Sequence, residues 1–175
     1  MKKCFLTFVI SLLMLLNVST QVQAAAEIPL NDSYNCFDFV NLLNRYSKYS
    51  QTAGLNFKFT IMSPEQDEKD SSKYFALTYS GVRLWFVTNQ SLIYNIVVIN
   101  NDNEQGQAKD AQNIQFSILL ALGFNKSEIE KALSSMQVIN ENSTVSYVFC
   151  QKANRTFQIG YTMKNGETYW LIAAC

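Results

Sequence analysis

The stretch TVSYVFCQKANRTFQIGYTMKNGETYWLIAA, residues 144–174, decides the fold. It is rich in aromatic and β-branched residues and contains two turn signals. Asn165-Gly166 is the strongest hairpin signal in the chain, and Ala153-Asn154 marks a second tight turn. The pattern therefore predicts three consecutive antiparallel strands: Thr144–Lys152, Arg155–Met163 and Glu167–Ala174.

Two-residue turns also fix which residues of these strands face each other. With such turns, Phe157 lies opposite Ala174 on one side and opposite Cys150 on the other. Side chains alternate between the two faces of a strand, so Cys150 and Ile172 share one face, which we expect the helices to cover. On the opposite face we predict a partner-binding patch that includes three aromatic residues: Tyr147, Phe149 and Tyr169.

Two alternatives to this patch remain at the level of sequence. A three-residue loop at Ala153-Asn154 would move Tyr147 and Phe149 to the helix-covered face. The aromatic residues can also belong to a packed core or lie under a second layer. Either arrangement would remove the patch.

Upstream of these strands the chain shows helical and strand patterns in a definite order. We predict a helix over 35–49, four strands over 55–62, 74–79, 82–88 and 92–100, and two helices over 111–122 and 127–136. The order is α-ββββ-αα-βββ. Consecutive strands form antiparallel meanders, so the predicted class is α+β, with three helices packed mainly on one face of the sheet or sheets.

The amino terminus has the pattern of a secretory signal peptide. Met1-Lys2-Lys3 is followed by an apolar run over 5–16 and by small residues at a cleavage site after Ala24, with Ala26 as the second choice. We expect residues 1–24 to be removed and 25–175 to form a single domain outside the cytoplasm, periplasmic or secreted. Cys4 precedes the apolar run, so no lipid anchor is expected.

Composition excludes several classes of function. The chain has no histidine, and its 14 basic and 14 acidic residues balance. Loss of Lys2 and Lys3 with the signal leaves a slightly acidic domain without a basic cluster, which argues against nucleic acid as a partner. No phosphate loop or metal-ligand spacing is present, so we expect no cofactor and no metal.

Three cysteines remain after the signal peptide: Cys36, Cys150 and Cys175. The predicted strand order separates Cys150 from Cys175 by two strands, roughly 9–10 Å, which exceeds the reach of a disulfide. We therefore predict a disulfide between Cys36 and Cys150, with Cys36 to Cys175 as the alternative. Without a histidine to activate it, a catalytic cysteine is not expected.

These observations favour a non-enzymatic exported protein that binds another protein, such as an inhibitor, an immunity-type protein or an envelope accessory factor. Two other functions stay open. One is a small extracytoplasmic hydrolase that uses carboxylates, which would need two of them about 5–9 Å apart in a pocket. The other is a subunit of a surface structure.

Overall fold

The computed structural model describes residues 28–49, 58–138 and 146–174. Within these ranges there are three helices: α1 (Cys36–Tyr49), α2 (Gln105–Ala121) and α3 (Lys126–Ser134). The strands in the same ranges are β1 (Glu65–Gln66), β2 (Lys73–Leu77), β3 (Arg83–Asn89), β4 (Leu92–Asn101), β5 (Gln137–Val138), β6 (Ser146–Lys152), β7 (Arg155–Lys164) and β8 (Glu167–Ala174). The α+β class and the order α-ββββ-αα-βββ are confirmed, with the two-residue strand β5 added before the last three.

All of these strands belong to one antiparallel sheet with the order β1-β2-β3-β4-β8-β7-β6-β5. The first meander, β1 to β4, and the second, β5 to β8, meet where β4 pairs with β8 at the centre. The short strands β1 and β5 lie at the two edges. Each long central strand therefore has a paired neighbour on both sides, which satisfies its backbone hydrogen-bonding groups.

The register predicted for the last three strands is confirmed. Lys164 pairs with Glu167 across a turn in which Asn165 and Gly166 both have positive φ, 54° and 76°. This geometry suits the right-handed twist of a hairpin. Ala153-Asn154 also forms a two-residue connection, since Lys152 pairs with Arg155. Phe157 consequently lies opposite both Cys150 and Ala174, as expected.

The strand expected over 55–62 is different in the structure. Residues 55–57 lie outside the described residues, and residues 58–62 make only a single bridge, between Ile61 and Thr78. Side chains of α1 take up the backbone groups instead: Asn44 binds both the N–H and the carbonyl of Ile61, at 2.8 Å each. Ser47 does the same for Phe59, at 2.9 and 2.7 Å. Periodicity indicated an extended segment here, and polar helix side chains rather than a neighbouring strand pair with it.

The main hydrophobic core lies between the three helices and one face of the sheet. Helix α2 contributes a buried stripe at helical spacing, Ile114 and Ile118, and α1 contributes Phe39 and Leu43. The strands contribute side chains of a single face: Ala76, Leu84, Phe86, Ile96, Val98, Phe157, Ile159, Ile172 and Ala174. The expectation that the helices pack on the face of Ile172 is therefore confirmed.

Candidate functional site

The second face of the sheet carries a smaller cluster to which no described helix contributes a residue. We call this face, opposite the three helices, the open face. Val97 and Leu171 are each 2% exposed, and Ile99 is 6% exposed. Half-buried aromatic side chains pack against them: Trp85, Tyr147 and Tyr169. The open face is therefore neither polar nor bare, because aromatic rings shield its aliphatic centre.

Strand pairing explains why these rings share the open face. One cross-strand row runs over the open face through Trp85, Val97, Leu171, Gly160 and Tyr147. Gly160 lies between Tyr147 and Leu171 in this row and has no side chain. Phe149 is two residues further along β6 and places its ring 5.6 Å from that of Tyr147 in an edge-to-face arrangement.

Tyr169 is held in place by a charged pair. Its hydroxyl donates a hydrogen bond of 2.6 Å to Glu167. Glu167 in turn accepts one of 2.5 Å from the Arg83 guanidinium. Burial raises the pKa of the Tyr169 phenol, and the hydrogen bond to the Glu167 carboxylate raises the pKa further. The phenol thus stays protonated at neutral pH, and its hydrogen bond to Glu167 favours one orientation of the ring.

The structure brings the three predicted residues Tyr147, Phe149 and Tyr169 together on the open face. The parity argument from the two turns is confirmed, and the alternative with a three-residue loop is excluded. We call the four rings of Trp85, Tyr147, Phe149 and Tyr169 the aromatic patch. Whether a partner binds to the aromatic patch remains a prediction.

The predicted Cys36–Cys150 disulfide is not formed in the structure, where both residues are free thiols. Cys36 begins α1, and the ring of the next residue, Phe37, packs on Tyr74 of β2 at 5.7 Å. Cys150 lies on β6, toward the edge of the sheet opposite β2. A disulfide needs Cα atoms within about 7 Å. The alternative partner, Cys175, lies outside the described residues.

The two thiols are also poor nucleophiles. Burial raises the pKa of Cys36. Burial, followed by the nearby negative charge of Glu128, raises the pKa of Cys150 to about 11. The nucleophile in thiol chemistry is the thiolate, so these environments suit packing rather than reaction.

The carboxylates near the helical hairpin are engaged in ion pairs. Glu128 accepts hydrogen bonds of 2.7 and 2.9 Å from Lys152, which lowers the pKa of Glu128. A general acid needs the opposite shift of pKa. Among the described residues, no group of three or more cysteine or acidic side chains is placed to hold a metal ion.

Sequence reasoning missed a cleft on the helix-covered face, between α2, α3 and the strands β6 to β8. The sequence signal for the cleft is a group of amide side chains in α2. Gln112, Asn113 and Gln115 all line the cleft. No acidic residue is among the described residues that line it.

Comparison of the chain with protein-family models, with curated proteins and with solved structures gives no match. No helix within the described part of the chain is long and apolar enough to cross a membrane.

Proposed function

We propose that this protein is an exported, non-enzymatic module that binds another protein through the aromatic patch. The observation that supports the proposal is the cluster of Trp85, Tyr147, Phe149 and Tyr169 on the sheet face opposite the helices. Export is supported by the signal-peptide pattern of residues 1–24. An inhibitor, an immunity-type protein and an envelope accessory factor all fit this description.

The composition of the aromatic patch favours a protein partner. Tyrosine, tryptophan and arginine dominate the energetics of protein interfaces, and here Arg83 borders the rings through its ion pair with Glu167. The charged groups at this border have opposite signs, so they do not attract a polyanion such as nucleic acid. Their pairing suits hydrogen bonds to the mixed polar surface of a protein.

The second argument for partner binding is that the rings of the aromatic patch are preorganised. Immobilising a flexible side chain on binding costs about 0.5–1.5 kcal/mol. Tyr169 is already held by Glu167, and Tyr147 packs edge-to-face on Phe149. Binding of a partner to these rings therefore costs little additional side-chain entropy.

The carboxylate-dependent hydrolase remains the alternative, as does a subunit of a surface structure. The described cleft has no acidic lining residue, and the carboxylate of Glu128 is paired with Lys152. No observation on the described residues therefore favours the hydrolase over the binding module.

The test uses the mature chain as bait in the native envelope fraction or culture medium, followed by measurement of the dissociation constant for the captured protein. Tyr147→Ala or Tyr169→Ala should weaken binding by about 2 kcal/mol or more, roughly 30-fold, with little change in melting temperature. Tyr79→Ala is the matched control, because Tyr79 is 82% exposed in the connection between β2 and β3.

Two results would contradict the proposal. Unchanged affinity in both patch variants would place the interface elsewhere. A steep fall in the melting temperature of Tyr147→Ala and Tyr169→Ala would show that these rings belong to the core and serve stability alone.

A further inference from the structure

A cleft of about 580 Å³ lies on the helix-covered face, beside the last strands of the sheet. Its floor is a cross-strand row in which Ser146 of β6 pairs with Tyr161 of β7, and Tyr161 pairs with Trp170 of β8. Helix α2, helix α3 and the turn after it form the walls, through Gln112, Asn113, Gln115, Phe116, Leu133 and Met136. Small-molecule sites typically measure about 300–1,000 Å³, so the cleft has the size of a ligand site.

Two residues that line this cleft each carry a side-chain nitrogen that has no acceptor among the described residues. Gln115 is 3% exposed, and its Nε2 is buried without a hydrogen-bond partner. Nδ2 of Asn113, on the same helix, is also buried without a hydrogen-bond partner among the described residues. Buried donors without partners destabilise a folded chain, and nearly all such groups in native proteins are satisfied by protein, water or ligand. A pair of them beside one cleft points to a bound molecule that supplies oxygen acceptors.

The floor of the cleft offers an apolar surface next to those donors. The rings of Tyr161 and Trp170 are in contact, with centroids 4.6 Å apart and planes inclined at 41°. They present a broad surface on which the C–H groups of a puckered ring can pack.

Charge narrows the class of ligand. None of the described lining residues is charged: they are amides, one serine, aromatic residues, a leucine and a methionine. A phosphorylated or carboxylated ligand would be buried here without a cation to pair with, which is unfavourable. The cleft therefore suits a ligand that is neutral, rich in hydroxyl groups and apolar on one side.

We propose that this cleft is a binding site for a neutral saccharide. The apolar side of a sugar ring packs on Trp170 and Tyr161, and its oxygens accept hydrogen bonds from Gln115 and Asn113. The site lies on the sheet face opposite the aromatic patch, and the proposal does not depend on the proposed protein-binding function.

The two tryptophans of the chain provide a direct readout, because Trp170 lines the cleft and Trp85 lies on the open face. In Trp85→Phe, Trp170 is the sole tryptophan, and its emission is titrated with maltose, lactose, cellobiose and N,N′-diacetylchitobiose up to millimolar concentrations. At least one of these should shift or quench the emission saturably. Adenosine serves as the planar, uncharged comparison, and a saccharide site should respond to at least one disaccharide more strongly than to adenosine.

Substitution of the amides tests the assignment of the site. Gln115→Met, made in the Trp85→Phe background, should weaken saccharide binding at least tenfold without lowering the melting temperature, because it removes a buried donor that has no partner. Asn113→Leu provides a second, independent removal of a donor. Gln158→Met is the matched control: Gln158 is also 3% exposed with an unpartnered Nε2, but it lies on the open face opposite Phe149.

Three outcomes would overturn the proposal. One is a panel in which no saccharide changes the emission of Trp170. Another is a response to adenosine alone. The third is saccharide binding that survives both amide substitutions, or that is lost equally in Gln158→Met, since neither result is compatible with recognition by the cleft.

Discussion

Replacement of Leu171 by alanine tests whether the open face contains a true second core. Leu171 is 2% exposed and packs with Val97 and Ile99 beneath the rings of Trp85 and Tyr169. Leu→Ala at buried sites costs about 2–5 kcal/mol, and the cost rises with the volume of the cavity that remains. Among the described residues the open-face cluster has three buried members, and its aromatic members are only half-buried, so less packing is lost than in a deep core and we expect the lower end, about 2–3 kcal/mol.

Urea denaturation followed by far-ultraviolet circular dichroism measures this difference in the free energy of unfolding. For a domain of this size each kcal/mol lowers the melting temperature by about 2–4 °C, so a thermal scan gives a second estimate. Leu77→Ala is the matched control, because Leu77 is 37% exposed at the edge of the same face and should lose less than about 1 kcal/mol. A loss at Leu171 no larger than the loss at Leu77 would contradict the packing described for the open face.

Three further predictions concern a turn, the thiols and an ion pair. Gly166→Ala should lower the free energy of unfolding by about 1 kcal/mol or more, because Gly166 has φ +76° and a Cβ there would lie 3.3 Å from Asn103. Gly106→Ala is the control, since a Cβ at Gly106 would have nothing within 4 Å, and equal effects of the two substitutions would contradict the turn geometry. In the native protein at pH 8, iodoacetamide should label Cys150 about 100-fold more slowly than an ordinary thiol, since its pKa is raised to about 11; both Cys36 and Cys150 should label fully after unfolding without reductant, and a Cys36–Cys150 disulfide in peptide maps would refute this. Hydrogen bonds from Lys73 and Ser72 lower the pKa of Asp70 to about 2, so its stabilising effect is fully present above about pH 4 and is lost as the pH falls through about 2. The pair is exposed, so Asp70→Asn should cost less than about 1 kcal/mol at pH 7 and progressively less as the pH falls from about 4 through about 2, and a pH-independent difference would contradict it.

The carboxy-terminal half of the fold could be predicted because its information is local. Asn165-Gly166 specifies a two-residue turn, and the turn specifies the register of β7 and β8. The alternation of side chains then assigns every residue to a face, which is why Tyr147, Phe149 and Tyr169 were placed correctly.

Other features depend on contacts between distant segments, which no local pattern encodes. The position of β5 and β6 at the edge opposite β1 follows from the pairing of β4 with β8, which joins the two meanders. This pairing separates Cys36 from Cys150, so a disulfide that was reasonable from the separate elements is not formed. The cleft likewise exists only where side chains of α2 and α3 face those of β6, β7 and β8, which a helical periodicity does not indicate.

The arrangement of β8 places the two proposed sites back to back. Tyr169 and Trp170 are consecutive residues, and strand alternation directs the first to the aromatic patch and the second to the cleft. The backbone of β8 is paired on both sides, with β4 and with β7, so a change of side chain on one face has little freedom to shift the other. Substitutions in the aromatic patch and in the cleft should therefore act independently on their own ligands, and a sheet of this kind can carry two recognition surfaces without a compromise between them.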